Sequence, residues 1–171
     1  MEARDVGTEA AAAARVSGDG FITLADGTRR WGRFGAAGLL VRHTDAEGTV
    51  AYFLARRSEH CHRGGTWAIP GGALDGGEGP LEGALREFQE EIGVLLDRFE
   101  LDVVYEDDHG GWSYWTYILD VDERFEPPGP LSWETSEVRW VTPNELAELE
   151  LFDAFDAALT HLGLQPADRD R

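Results

Sequence analysis

Three glutamates, Glu87, Glu90 and Glu91, are the residues of this chain whose type and spacing most clearly permit chemistry. At 3.6 residues per turn they fall within about 100° of arc on a helix. Like charges at i, i+3 and i, i+4 destabilise a bare helix by a few tenths of a kcal/mol per pair, so the cluster needs a partner. A divalent cation is the obvious one. Mg²⁺ prefers octahedral oxygen coordination, keeps several waters, and is held by a few carboxylates together with substrate phosphates. The plain alternative is a solvated acidic face, such as Glu145 and Glu148 would make at i, i+3 in a later helix.

The segment around the cluster reads Gly72-Ala-Leu-Asp-Gly-Gly-Glu78-Gly-Pro-Leu-Glu-Gly-Ala-Leu-Arg86-Glu87-Phe88-Gln-Glu90-Glu91-Ile-Gly93-Val94. Leu81, Ala84, Leu85, Phe88 and Ile92 share a second arc of similar width, so one face packs while its neighbour collects charge. The helix is predicted to start near Pro80 and end at Gly93. Arg86 lies four residues from both Glu82 and Glu90, where a surface ion pair is the simplest role. Glu78 precedes the helix, where the N-terminal dipole favours a carboxylate. The glycines Gly71, Gly72, Gly76, Gly77 and Gly79 allow tight turns and close backbone approach to a phosphate or metal.

Elements that must position this segment are also legible. Phe21 to Trp31 holds an Asp26-Gly27 turn between two β-like runs, a hairpin pattern. Gly35–Val41 and Val50–Leu54 read as buried strands, and Arg56–Gly65 as a polar loop. Phe99–Tyr105, Trp112–Val121 and Glu137–Val141 read as further strands. Thr142-Pro143 opens a short helix, and Leu151–Leu162 forms a last amphipathic one ending at Gly163. Trp112, Tyr114, Trp115 and Tyr117 alternate along one strand; core packing is favoured over base stacking for them. His60-Cys61-His62 has poor spacing for chelation, because consecutive side chains of an extended segment point to opposite faces.

The chain has 171 residues, enough for one domain with a substantial core. Residues 1–17 read as a disordered Ala-rich tail, 18–164 as a single domain and 165–171 as a C-terminal tail. A net charge of −18 disfavours a nucleic-acid polymer engaged through a broad basic surface. Small polyphosphates remain compatible, since bound metal reverses the local sign. Every basic residue is Arg rather than Lys. One cysteine, Cys61, excludes an intramolecular disulfide and makes a cytoplasmic location the default. No apolar run approaches the ~20 residues of a membrane span.

The segment from Gly72 to Val94 resembles the Nudix box and matches it at every fixed position. Seven Gly, Glu and Arg positions must coincide, which random filling at roughly 5–7% each would achieve less than about once in a million chains. Trp67-Ala-Ile-Pro-Gly71-Gly72 is similar to the strand and turn that lead into the box. Glu134, six residues before Trp140, is similar to the family's downstream acid, with Glu137 as the competing choice.

The resemblance implies an α/β fold, the Nudix α/β/α sandwich with a central mixed sheet. It implies a Mg²⁺-dependent hydrolase, with Mn²⁺ as a substitute, that cleaves a phosphoanhydride (diphosphate) bond in a nucleoside diphosphate linked to another moiety. A nucleoside triphosphate or a nucleotide sugar would qualify. Carried over by position, Glu87 and Glu91 ligate the metal, Glu90 ligates it or acts on the attacking water, and the Gly71 carbonyl is a further ligand. Arg86 would orient a catalytic glutamate, and the general base is Glu90, Glu87 or Glu134. Arg57 and Arg63, in the polar loop, are candidates to reach a substrate phosphate from the side opposite the metal. A homodimer is compatible, with the N-terminal hairpin as contact. The alternative is a catalytically silent Nudix-fold sensing or scaffold module, although such modules lose box carboxylates that this chain keeps. An isoprenoid-diphosphate isomerase would need a cysteine near the start of the box, which is absent.

Overall fold

The computed structural model describes residues 15–165. The expected N-terminal tail therefore lies outside the described residues up to residue 14, and the C-terminal tail from residue 166. Strands β1 (Phe21–Thr23) and β2 (Arg29–Trp31) form the hairpin expected around Asp26-Gly27. Then come β3 (Ala36–Thr44), β4 (Val50–Arg57), β5 (Trp67–Ala68), β6 (Gly71–Ala73) and helix α1 (Pro80–Ile92). The chain continues through β7 (Glu100–Asp108), β8 (Ser113–Asp120), β9 (Thr135–Val141), α2 (Pro143–Glu148) and α3 (Asp153–His161).

Seven strands make one mixed sheet in the order β5-β4-β3-β8-β7, with β6 added to β3 and β9 to β4. Only β3 and β8 pair in parallel, in register from Ala36↔Tyr114 to Arg42↔Asp120. Strand periodicity of two sends alternate residues to opposite faces. Ala37, Leu39, Val41, Phe53 and Ala55 pack with Ala84, Phe88 and Ile92 of α1. Leu40, Tyr52 and Leu54 pack on the other face with Leu146 of α2 and Phe155 and Leu159 of α3. The result is an α/β/α sandwich, as expected.

Helix α1 begins at Pro80, whose missing N–H is harmless in the first turn, and ends at Gly93, left-handed at φ 80°. Phe53, Phe88, Phe125 and Trp140 meet edge-on or tilted beneath it, with Phe53–Phe125 centroids 4.9 Å apart. The contact of Phe53 on β4 with Phe88 on α1, centroids 5.7 Å apart, ties the helix to the sheet and so places its glutamates. At α2, Thr142 and Glu145 form a reciprocal capping box.

Several strands run past their expected ends, β3 to Thr44 and β7 to Asp108 among them, and β9 starts earlier, at Thr135; three further differences concern the loops and the termini. Strand β4 runs to Arg57, because Arg56 and Arg57 pair with β9, so the polar loop starts later. Helix α3 starts at Asp153 rather than Leu151, which bridges to Trp67 instead. Arg15 and Val16, assigned to the tail, contact the Gly-rich loop and the start of α1: Arg15 pairs with Glu78 and Glu82, and the Val16 carbonyl accepts the Gly76 N–H.

Candidate active site

Strand β6 lies antiparallel to β3, with Ala37 opposite Gly72 and Gly38 opposite Gly71. The Gly-rich loop then reverses the chain so that one edge of α1 returns over β6. The Gly71 N–H donates to Glu91 Oε1 at 3.4 Å. A Cβ added to Gly71 would strike the Ala37 carbonyl and the Gly38 backbone, so this strand contact requires glycine. At Gly72 an added Cβ would lie 2.5 Å from Glu87 Cδ. Its obstacle is the far end of a flexible side chain, not backbone. We therefore expect Gly72→Ala to keep the fold, with a melting temperature within a few degrees of wild type, while displacing Glu87. Mg²⁺ affinity should fall about 10–100-fold, the scale seen when support of a ligand is lost; calorimetric titration measures it.

Arg86 organises the cluster by reaching four partners. Its Nε and Nη2 donate to Glu78 at 2.9 and 3.0 Å, its Nη1 to Glu87 at 2.8 Å and Glu90 at 3.3 Å, and Nη2 also to the Ala73 carbonyl at 2.9 Å. This is far more than the surface ion pair its spacing suggested. Glu78 has no exposed side-chain surface and also accepts the Asp75 N–H at 2.9 Å. Burial would raise its pKa, but Arg86, the Asp75 amide and Arg15 together hold it below the usual carboxylate range. Glu78 is thus a buried anchor that fixes the guanidinium.

The carboxylates along the other edge face the opposite situation. Burial, then the charges of Glu87 and Glu134, push Glu91 up to about 8, against the Gly71 amide and Arg57. Glu87 is pushed up to about 6, first by burial and then, against Arg86, by Glu90 and Glu134. Glu90 is the exposed member. A pair of oxygen donors disfavoured as anions by burial and mutual repulsion is one that a hard cation stabilises. Among the described residues, no three acidic, His or Cys side chains close into a preformed metal cage. Mg²⁺ does not need one, since waters and substrate phosphates complete its octahedron. The donors present therefore fit this ion.

An open cleft of ≈ 430 Å³ runs beside this edge, lined by Asp75, Arg86, Glu87, Glu90, Glu91 and Glu134, together with Arg15, Ser17, Asp19, Ser132 and Trp133. Behind Glu91 a smaller recess adds Arg57, Gly71 and Thr135. The structure thus gathers Gly71, Arg86, Glu87, Glu90, Glu91 and Glu134, with Arg57 beside them. Glu137 points elsewhere, to Arg139 at 2.8 Å and Arg56 at 3.9 Å. Arg63 departs from its expected role: it is not among the lining residues, and its guanidinium pairs with Asp153 on α3 at 2.6 Å. His62 lies edge-on to Phe152, and Cys61 Sγ faces the Glu134 carbonyl at 3.7 Å.

Sequence reasoning missed Arg15, Ser132 and Trp133 in the cleft wall. Arg15 was grouped with an Ala-rich run, and Trp133 sits in a Pro- and Gly-rich connection without periodicity. Tyr114, read as core, packs its hydroxyl toward Gly38, and its pKa is raised by burial and by the Glu91 charge.

The NUDIX domain family model matches residues 32–162. A protein of Mycobacterium tuberculosis (strain H37Rv) named putative 8-oxo-dGTP diphosphatase 3 is 38% identical over 161 residues, covering 90% of this chain and 72% of its own. The asymmetrical bis(5'-nucleosyl)-tetraphosphatase of Rattus norvegicus is 32% identical over 120 residues, covering 65% and 77%. The crystal structure of RenU, a Nudix hydrolase of M. smegmatis, superposes with a TM-score of 0.75 at 36% identity, covering 85% of this chain and 92% of that one. On the box, the sandwich and these matches, the chain belongs to the Nudix family and is a hydrolase of pyrophosphate bonds.

Proposed function

We propose that this Nudix hydrolase is Mg²⁺-dependent and cuts the phosphoanhydride bond of a nucleoside diphosphate linked to another group, with a nucleoside triphosphate as its first substrate class. The observation that carries the reading is the Glu87–Glu91 edge: two carboxylates with raised pKa, crowded against the glycines of β6 and opening on a cleft. The triphosphate is favoured because a relative 38% identical across 90% of this chain is named putative 8-oxo-dGTP diphosphatase 3. Dinucleoside polyphosphates stand second, through the tetraphosphatase relative.

Glu87 and Glu91, with the Gly71 carbonyl, would hold the ion, and Mn²⁺ would serve in its place. When bound, it supplies neutralisation of charge developing on the diphosphate and a water of lowered pKa. Arg86 keeps Glu87 aimed at the cleft while its fork stays locked on Glu78. Arg57, which lines the recess beside Glu91, gives a phosphate oxygen a cationic neighbour. Glu90 and Glu134 are the carboxylates left to accept the proton of the attacking water. The backbone of Glu134 is fixed by the Ser58 N–H, which donates to its carbonyl at 2.7 Å.

Incubation with nucleoside triphosphates, dinucleoside polyphosphates and nucleotide sugars, with products identified by mass, tests this. The expected result is a nucleoside monophosphate and pyrophosphate from the triphosphate, with Mg²⁺ or Mn²⁺ present and not with chelator. Unchanged substrates throughout, or turnover insensitive to chelator, would overturn it.

A further inference from the structure

We propose that Trp133 is the stacking platform for the nucleobase, and so the residue that selects base-bearing substrates over bare polyphosphates. The inference rests on the hydrolase reading above and names the part of the substrate that the carboxylate edge does not recognise.

Three observations carry it. First, Trp133 lines the same cleft as Glu87, Glu90 and Glu91. Second, it is 71% exposed, more than any other large hydrophobic side chain among the described residues. The other tryptophans have partners: Trp112 and Trp140 donate their indole N–H to carbonyls, Trp31 meets Phe21 and Trp67 lies under Arg139, while Trp115 packs against the core. Trp133 has no such ring or cation contact among the described residues. Third, the backbone around it is hydrogen-bonded to α1 on one side and to the residue after β4 on the other. The Ser132 N–H donates to the Glu91 carbonyl at 3.2 Å, the Thr135 N–H to the Ser132 carbonyl at 3.2 Å, and the Ser58 N–H to the Glu134 carbonyl at 2.7 Å.

An indole exposed inside the cleft that the carboxylates line leaves its ring face open to a planar group entering that cleft. An aromatic ring held on a hydrogen-bonded backbone segment in the same cleft as the carboxylates suits a nucleobase, which has a π-face whatever its substituents.

The test is a comparison of Trp133→Ala and Trp133→Phe with wild type, using a nucleoside triphosphate as substrate and inorganic tripolyphosphate, which lacks a base, as competitive inhibitor. Loss of one base–aromatic contact corresponds to roughly 5–150-fold in binding. The expected result is a KM for the triphosphate raised about 10–100-fold in Trp133→Ala with kcat within twofold, near-wild-type KM in Trp133→Phe, and an unchanged inhibition constant for tripolyphosphate. An unchanged KM, or equal weakening of both ligands, would overturn the proposal. A fluorescence titration with a nucleoside monophosphate decides the stacking without turnover: quenching in wild type that disappears in Trp133→Phe supports it, and equal quenching in both refutes it. Absence of wild-type turnover on every nucleotide would instead count against the hydrolase reading.

Discussion

Glu91→Gln is expected to lower turnover by about 10³-fold or more while leaving the metal-free protein as stable as wild type, or more so. A metal's stabilisation of transition-state charge is worth several kcal/mol, and each 1.36 kcal/mol is a factor of ten. Gln keeps the shape and still accepts the Gly71 N–H, so the loss is of charge rather than packing. The pH dependence follows from the same charge. Glu91 is raised to about 8 in the fold, so between its ordinary value near 4.5 and 8 the folded state binds more protons than the unfolded one. Its contribution therefore makes metal-free stability fall as pH rises through that window, and Glu87 adds to the slope up to about 6. Denaturant titrations of the chelated protein at pH 5.5 and 8 should show wild type more stable at the lower pH, with much of the difference gone in Glu91→Gln. Near-wild-type turnover in the variant would remove Glu91 from the metal site.

Arg86→Ala is expected to destabilise the fold by about 3–5 kcal/mol, the cost of leaving a buried charge without its partner. Most of that loss traces to Glu78, whose side chain is fully buried and whose two oxygens face Arg86 Nε and Nη2. The remaining contacts, Arg15 at 3.3 Å and the Asp75 amide, do not neutralise it equally well, because Arg15 is largely exposed and shared with Glu82. Against a total stability of about 5–15 kcal/mol this is a large fraction. Glu78→Gln in the same chain should recover part of it, giving a coupling energy of roughly 1–3 kcal/mol by double-mutant cycle. Arg86→Lys should not substitute, since an ammonium cannot span Glu78 and Glu87 as a planar fork does. Because Glu78 is held below the usual range, its stabilisation is present at neutral pH and is lost as pH falls below that range, opposite in sign to Glu91. A destabilisation below about 1 kcal/mol would return Arg86 to the status of a surface ion pair.

The parts of this site that were legible in the sequence share one property: local spacing determines them. Pro80 and Gly93 bound the helix, the 3.6-residue period separates the packing face from the Glu87–Glu91 edge, and the box fixes the glycines that let that edge approach β6. What spacing does not determine is where a long side chain finds its partner. Arg86 has local candidates in Glu82 and Glu90, yet its strongest bonds go to Glu78 across the loop, because only the folded turn buries that carboxylate. Arg63 was expected at the phosphate but reaches Asp153, ninety residues away, and Arg57 enters the recess because β4 extends to pair with β9. The parallel pairing of β3 with β8 and the docking of Arg15 on Glu78 are likewise contacts between distant segments. Trp133 is the extreme case, since its place in the cleft depends on the Ser132 N–H donating to the Glu91 carbonyl and the Glu134 carbonyl accepting the Ser58 N–H.

Whether Glu87 and Glu91 form a metal edge is decided by the melting temperature of wild type and Glu91→Gln as Mg²⁺ is titrated at pH 8. Binding to the folded state alone stabilises by about 2.7 kcal/mol at one hundred times Kd, on the order of 5–10 °C for a domain of this size. A saturable rise of that order is expected in wild type and a clearly smaller one in the variant. Equal rises in the two proteins would place the ion elsewhere and contradict that assignment.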